Sequence, residues 1–461
     1  MDFPLIKKLK NIFQRFLIAC VIIIVLCLFI FIRGPKLVVP KRTTVTTWYV
    51  TGAEETVPQA PTWFNQSQDK IYVQPVSVPF LEIERKFLTS VVGEVPPNLF
   101  EYFGSVSQWS SRGALIPLDD YMKRDNYDRS QIFPALWEEM KWDGKIYAIP
   151  TGTACDAFYW NKRHFREAGL DPERPPKTWK ELEEYAEKLT IKNSDGSIKR
   201  AGFVPGYWSA MGLPIFIYWA LQKDAKYLSP DGRKVTLTSP ACIKALEWEG
   251  KLFEKLGRDE LIHLRASFGY GGQHGFASGR VSMIEQKSSF PQELSKYAPS
   301  IEYGVSMFPT PEGGHPATTS GAVWIGIPAG AEHPDEAWEY IKFYTRSDTA
   351  QKLAEYAIDQ NIISFFPANI KAAQCPKQMA IPGMPIFLES MKWAQTPTII
   401  PLAHAVFWRE YAVAWDEVIR GKKTAREALE TAERTIQRSL DDQLTYNDYY
   451  LEYMRKHKKI K

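Results

Sequence analysis

The sequence predicts an α/β protein preceded by a transmembrane helix, and three observations support this prediction. Short β-type runs alternate with amphipathic helical stretches after residue 42, which is typical of parallel sheets covered by helices. The chain of 461 residues, with 45% hydrophobic and 24% charged residues, is long enough for two domains and has the composition of a folded body. An uninterrupted apolar run precedes that body.

The apolar run occupies residues 16–32 and contains no polar side chain. As an α-helix it would span about 25 Å, at the short end of the range for membrane-crossing helices. Basic residues precede it, as they do on the cytoplasmic side of a membrane helix: Lys7, Lys8, Lys10 and Arg15. The sequence therefore predicts a membrane anchor, with the rest of the chain on the extracytoplasmic face.

Two alternatives to an uncleaved anchor remain open. One is a cleaved secretory signal, although the run ends in residues 33–36 (RGPK), which lack the small residues of a cleavage site. The second is lipid attachment at Cys20, the last residue of the tetrapeptide LIAC at 17–20. Most of the apolar run lies after Cys20, which favours the uncleaved anchor. Under all three interpretations the body is exported.

The chain has a net charge of +4, and its excess of positive charge lies at its two ends. Residues 1–42 hold eight Lys and Arg against one Asp, and the basic tail at 450–461 holds five against one Glu. The body between them is therefore acidic. Binding to a phosphate backbone requires a basic face, so the sequence predicts no nucleic-acid partner.

The elements of the body follow from hydrophobic periodicity. Apolar residues at β-type spacing predict strands, and apolar residues three and four positions apart predict helices. From about residue 335 the chain is largely helical. The predicted strands are 43–50, 71–78, 98–103 and 145–149, and the predicted helices include 82–92, 179–190, 337–344, 349–357, 406–419 and 424–440.

The loops that follow the predicted strands are rich in aromatic and hydrogen-bonding side chains. In open α/β sheets, ligands bind at the carboxyl ends of strands. Aromatic faces stack on sugar rings, while carboxylates, amides and hydroxyls bind the sugar's OH groups. Burial in the core is the competing interpretation for each aromatic residue. The candidates in these loops are Trp48, Glu54, Tyr102, Phe103, Ser105, Gln108, Tyr207, Trp208, Ser288 and Phe290.

Several segments occur in an order that resembles a known family. The first are GALIPLDDY at 113–121, WDGKIYAIP at 142–150, YWNK at 159–162 and FREAGL at 165–170. Later ones are FASGRVSM at 276–283, AWEYIKF at 337–343 and GKKT at 421–424. The ordered set, from about residue 43 to 440, resembles the family 1 extracellular solute-binding proteins of sugar ABC importers, which include maltose-binding protein.

The resemblance implies a type II periplasmic-binding-protein-like fold, in which two α/β lobes close over a ligand. Placed on this chain, the first lobe is 43–150 plus 318–362, and the second is 155–312 plus 365–449. The lobes would be joined by crossovers near 150–154, 310–318 and 363–367. The implied partners are a carbohydrate and the permease subunits of an ABC importer, at the extracytoplasmic face of the membrane.

The resemblance also implies specific contact residues. Tyr102 and Trp408 fall where sugar-binding members place stacking aromatics, and Tyr207 or Trp208 matches a third aromatic. Asp156 falls where relatives carry a polar residue lining the cleft, although a solvated carboxylate near the crossovers is an equally good interpretation. The chain departs from the family pattern at two places: KSSF, which contains Ser288 and Phe290, and SGAVW, which ends in Trp324. These three residues complete the predicted ligand site.

The sequence carries none of the common enzyme motifs. It lacks a GxSxG elbow, an HExxH helix and a GxxxxGK[ST] loop, and its seven His are dispersed, so it predicts neither an enzyme nor a cofactor or metal site. A glycosidase with two distant carboxylates remains possible in principle. Two binding functions without sugar import also stay open: a tethered receptor for sensing or surface binding without transport, and a binding protein for a non-sugar solute such as a polyamine, a phosphodiester or ferric ion.

Overall fold

The computed structural model describes residues 42–51, 59–104, 106–206, 217–395 and 400–457, and the chain from Thr44 onward forms one compact unit. The predicted membrane anchor at 16–32 lies outside the described residues. Among the helices within these ranges, none combines the length and the apolar character needed to cross a bilayer.

A mixed sheet forms the centre of the described body. Its ten strands follow the order β2-β1-β3-β11-β6-β9-β8-β7, and β10 and β12 also pair with β6, while β4 and β5 form a separate hairpin. The strands are β1 (Thr43–Thr51), β2 (Ile71–Pro79), β3 (Leu99–Phe103), β4 (Lys141–Trp142), β5 (Lys145–Ile146), β6 (Ala148–Asn161), β7 (Ile191–Lys192), β8 (Ile198–Phe203), β9 (Val281–Lys287), β10 (Tyr303–Ser306), β11 (Ser320–Gly326) and β12 (Phe366–Pro367).

Helices surround the sheet, and three single turns of 3-10 helix lie at Arg129–Gln131, Gly271–Gln273 and Pro401–Ala403. The α-helices of the described residues are α1 (Gln59–Ser67), α2 (Phe80–Val92), α3 (Ser107–Ser110), α4 (Asp119–Arg124), α5 (Pro134–Glu139), α6 (Lys162–Glu167), α7 (Trp179–Leu189), α8 (Ile217–Leu221), α9 (Pro240–Leu256), α10 (Arg258–Ala266), α11 (Phe290–Tyr297), α12 (Pro334–Thr345), α13 (Ser347–Asp359), α14 (Ile370–Ala373), α15 (Pro376–Met379), α16 (Met384–Ser390), α17 (His404–Ile419) and α18 (Ala425–His457).

Strand β6 divides the sheet into two parts. Its first half pairs with β11, and its second half pairs with β9 and β10. We call the part with β1, β2, β3 and β11 the first lobe, and the part with β7 to β10, together with α9, α17 and α18, the second lobe. Both lobes contain a parallel pair, β1 with β3 and β8 with β9. The two-lobed α/β fold expected from the resemblance is therefore present.

The crossover between the lobes differs in one respect from the expectation. The single strand predicted at 145–149 is divided in the structure between β5 of the hairpin and the start of β6, and β6 continues through Pro150 to Asn161. Proline cannot donate a ladder hydrogen bond, so within a sheet it is confined to edges and irregular positions. Pro150 lies opposite Trp324, where the register of β11 shifts. The lobe boundaries themselves remain a prediction.

Most of the remaining predicted elements are confirmed within one to three residues. The predicted helix at 179–190 corresponds to α7, which begins after Thr178, whose hydroxyl accepts a hydrogen bond from the Glu181 amide at 3.1 Å. The predicted helix at 424–440 is longer in the structure, because α18 continues to His457 and includes much of the segment expected as a basic tail. The sheet is mixed rather than parallel, since β11 runs antiparallel to both of its neighbours.

Candidate functional site

The carboxyl end of β3 positions the first group of candidate residues. The Tyr102 hydroxyl donates a 2.8 Å hydrogen bond to the Glu84 carboxylate on α2, and the Gln108 amide on α3 lies 3.4 Å from the same oxygen. Gly104 ends the strand with a positive φ of 87°, which a residue with a side chain adopts only with strain. The Trp324 indole donates to the Gly104 carbonyl at 2.8 Å and so supports this turn.

Aromatic rings stack along this end of the first lobe. Tyr102 stacks on Phe103 with ring centroids 4.8 Å apart, and Phe103 stacks on Phe80 at 5.4 Å. Tyr102 is only 5% exposed, whereas Phe103 is half-buried. Burial, and to a lesser degree Glu84, raises the pKa of the Tyr102 phenol, so the hydroxyl remains a donor. The accessible rings of this stack are therefore Phe103 and Phe80.

The second lobe contributes His404 and Trp408 from the first turns of α17, with ring centroids 6.3 Å apart. The turn Pro401–Ala403 that precedes α17 packs against α3 of the first lobe. Burial lowers the pKa of His404 to about 4, against a smaller opposing effect of Glu84 on the first lobe. The buried Nδ1 of His404 has no hydrogen-bond partner among the described residues.

We call the group formed by Glu84, Tyr102, Gln108, His404 and Trp408 the interlobe site. It combines a carboxylate, an amide, an imidazole and aromatic surface from two different lobes. These are the groups that hold a hydroxyl-rich ligand by hydrogen bonds and ring stacking. The imidazole nitrogen without a partner is one position where a ligand could satisfy a buried polar atom.

A second polar group lies where the lobes meet along β6, and we call it the hinge cluster. The Thr319 hydroxyl donates to the Asp156 carboxylate at 3.1 Å, and the buried phenol of Tyr218 also hydrogen-bonds to that carboxylate. The Thr318 hydroxyl donates to the Asp156 carbonyl at 2.8 Å and accepts from the Asp156 amide at 3.2 Å. Asp156 therefore links β6 to the segment leading into β11.

The end of β9 continues from the hinge cluster. Lys287 pairs with Asp156 in the β6–β9 ladder, and its ammonium lies 5.3 Å from the ring centroid of Phe365. The next side chain, Ser288, is buried, and its hydroxyl has no hydrogen-bond partner among the described residues. Phe290 is 1% exposed and packs against Tyr159 and other core rings.

The structure brings some of the predicted ligand residues together and not others. Tyr102 lies on the first-lobe side of the interlobe site and Trp408 on the second-lobe side, and Asp156 and Ser288 lie near the hinge. Trp48 is half-buried against the core. Protein covers Phe290 and Trp324 completely, so a ligand could contact them only after rearrangement. The remaining predicted residues, Glu54, Ser105, Tyr207 and Trp208, lie outside the described residues. A role in binding stays a prediction for all of them.

Sequence reasoning missed Glu84 and His404. Glu84 belongs to the stretch EIERK inside a predicted helix, which has the pattern of a solvated helix face. His404 precedes an apolar helical stretch and has no partner at ligand spacing. Neither signal could identify a site, because the two residues are joined only by the packing of α3 on the turn before α17.

Comparison with known proteins gives a consistent result. Residues 47–351 match the family described as bacterial extracellular solute-binding protein. A relative in Brucella melitensis biotype 1, the sn-glycerol-3-phosphate-binding periplasmic protein UgpB, is 26% identical over 333 residues, which cover 68% of this chain and 73% of the relative.

Solved structures agree. CpMnBP1 with mannobiose bound superposes with a TM-score of 0.71 at 25% identity, covering 86% of this chain and 100% of that protein. The sugar-binding protein MalE from Xanthomonas citri has a TM-score of 0.72 at 18% identity, covering 88% of this chain and 99% of MalE, and supports the fold alone.

Proposed function

This chain belongs to the bacterial extracellular solute-binding protein family, and we propose that it captures a carbohydrate by closure of its lobes and delivers it to the permease subunits of an ABC importer. The family and the relatives named above are binding proteins, and one structural relative was solved with mannobiose bound. The site of action is extracytoplasmic.

The interlobe site is the observation that carries this proposal. Side chains from both lobes contribute to it, and the buried Nδ1 of His404 has no hydrogen-bond partner among the described residues. A ligand that bridges Glu84 and Gln108 on one side and His404 and Trp408 on the opposite side would make contacts in the closed state that the open state lacks. Only such differential contacts can drive a conformational change.

The hinge cluster and β6 support the motion. Three chain segments, β6, β11 and β12, lie side by side where the lobes join. At Gly152 of β6, an added Cβ would lie 3.3 Å from the Phe365 Cβ, so this position favours the smallest residue. Closure by hinge bending requires such short, closely packed connections between rigid bodies.

The predicted transmembrane helix at 16–32 forms part of the same proposal. It would keep the binding protein beside its permease without a lipid. A variant with Ile24→Arg and Leu26→Arg would place two charges in the apolar run, which is costly in a bilayer. We expect the natural chain to remain with membranes after alkaline carbonate extraction and the variant to lose this association. A mature protein that begins after residue 32 would contradict the anchor.

Direct binding tests the proposed function. Purified protein is titrated calorimetrically with mannobiose, maltose and a panel of neutral oligosaccharides, and small-angle scattering is recorded with and without each ligand. The expected result is micromolar or tighter binding of at least one sugar, together with a smaller radius of gyration. Hydrolysis of the sugar during the titration, or binding without compaction, would contradict the proposal.

A further inference from the structure

The carboxylate of Glu84 in the interlobe site has no ion-pair partner among the described residues. Its two hydrogen-bond partners, Tyr102 and Gln108, are neutral donors. Among the described residues, no Lys or Arg lies within 4.0 Å of its carboxylate. Glu82, two positions earlier on the same helix, instead forms an ion pair with Lys86 at 2.8 Å. The carboxylate of Glu84 is therefore an open acceptor for ligand hydroxyls.

The remaining groups around the site add no strong positive charge. With a pKa of about 4, His404 is neutral near pH 7. Toward the hinge, Lys287 lies opposite Asp156 in the β6–β9 ladder, which places a carboxylate beside it. By sequence, the internal stretches outside the described ranges, 52–58, 105, 207–216 and 396–399, contain two glutamates and no Lys, Arg or His. A phosphate would thus meet Glu84 without the cationic fork that proteins use to bind it.

From this charge arrangement, and resting on the proposed function, we propose that Glu84 is a specificity-determining residue that excludes phosphorylated polyols and selects uncharged ones. Curated relatives are named for sn-glycerol 3-phosphate, so family membership alone does not decide between the two ligand classes. The carboxylate would accept hydroxyl groups of a neutral ligand and repel a phosphate by like charge. Discrimination then comes from a repulsive element as well as from attractive contacts.

The test compares Glu84→Gln with the natural chain and with the matched control Glu82→Gln on the same helix. Each protein is titrated with glycerol 3-phosphate and with mannobiose, at low and at high ionic strength. Glu84→Gln keeps an acceptor for Tyr102, so we expect unchanged thermal unfolding. We expect glycerol 3-phosphate to bind Glu84→Gln at least about tenfold more tightly than the natural chain, the size of a single like-charge contact near the protein surface. High salt should reduce this difference because it screens the repulsion.

Each outcome bears on the proposal. Equal affinity of the natural chain and Glu84→Gln for glycerol 3-phosphate overturns it, as does failure of both to bind. An equal gain in Glu82→Gln also overturns it, because the effect would then reflect net charge alone. If tight binding of glycerol 3-phosphate is lost in Lys287→Gln, the hinge lysine is the anion site and Glu84 is not the determinant. The neutral-sugar titrations decide the proposed function separately.

Discussion

The interlobe site and the hinge cluster are both polar groups between the lobes, but they differ in how completely their atoms are paired. In the hinge cluster, the Asp156 carboxylate is held by Thr319 and Tyr218, and its backbone is held by Thr318. In the interlobe site, His404 has a buried nitrogen without a described partner, and Glu84 has no balancing cation among the described residues. The first group is complete without a ligand, while the second is not.

This difference suggests different roles. Buried polar atoms are normally paired, and leaving one unpaired costs about 1–3 kcal/mol. An unpaired atom at the surface between the lobes is a position where a ligand can supply the missing partner. A completed network such as the hinge cluster instead fixes the relative position of two strands. We therefore expect substitutions in the hinge region to change stability and substitutions in the interlobe site to change affinity.

Trp324→Ala should cause the largest loss of stability. This variant tests whether the ring supports the fold or contacts the ligand. The side chain is 0% exposed and donates to the Gly104 carbonyl at the end of β3. Truncating a buried tryptophan costs about 3–5 kcal/mol, so urea unfolding should show a loss of that size. The half-buried Trp408→Ala serves as the comparison and should lose less. A fully stable Trp324→Ala variant would mean that the ring is free for ligand.

The pH dependence of stability should also distinguish the two regions. On the hinge side, burial raises the pKa of Glu139 to about 8, although its carboxylate accepts the Ala322 amide of β11. The folded state keeps this proton where the unfolded chain loses it, so the contribution of Glu139 to stability falls as pH rises from 4.5 to about 8. His404 acts in the opposite direction: its pKa is lowered, so its contribution is present above pH 6.5 and is lost as pH falls toward 4.

Glu139→Gln tests this assignment. The amide retains an acceptor for Ala322 but cannot titrate, so chemical unfolding measured between pH 5 and 8 should show a flatter decline than in the natural chain. His404→Gln should leave that decline unchanged and alter the pH dependence of stability only below pH 6.5. An identical slope in Glu139→Gln and the natural chain would mean that Glu139 is ionised in the folded protein.

Local sequence patterns predicted much of the fold. Periodic stretches such as 82–92 and 406–419 became helices, because their apolar residues recur at the spacing that places them on one helix face. The extent of β6 was not predictable, because Pro150 normally ends a strand. Its tolerance depends on the register shift of β11, which is formed by residues much later in the chain. The antiparallel placement of β11 also depends on long-range pairing.

The candidate site was predictable in part. Tyr102 and Gln108 were identified from the loop after a predicted strand, and Trp408 from family spacing. Glu84 and His404 had no local signal, because a glutamate in a charged helix and a histidine before an apolar stretch are common on protein surfaces. Their meeting follows from packing between lobes, which a single sequence does not specify.

Trp408→Ala should have the next largest effect, which we expect on the affinity for sugar. A lost stacking aromatic at a binding site costs about 1–3 kcal/mol, so the dissociation constant for the bound sugar should rise by that amount in calorimetry. Trp63→Ala is a control, because Trp63 packs edge-on against Tyr356 outside the interlobe site. If the two variants bind equally well, Trp408 does not contact the ligand.

Thr319→Val should have the smallest effect on stability. Comparing its effects on stability and on sugar affinity tests the role of the hinge cluster. Valine keeps the shape of the side chain but removes the 3.1 Å hydrogen bond to Asp156, leaving that carboxylate with Tyr218. A lost hydrogen bond costs about 1 kcal/mol, which urea unfolding can resolve. Because Thr319 completes the hinge cluster rather than facing a ligand, sugar affinity should change less than in Trp408→Ala. If affinity falls further than in Trp408→Ala while stability is unchanged, the ligand binds at Asp156, and the completed network would be part of the binding site rather than its support.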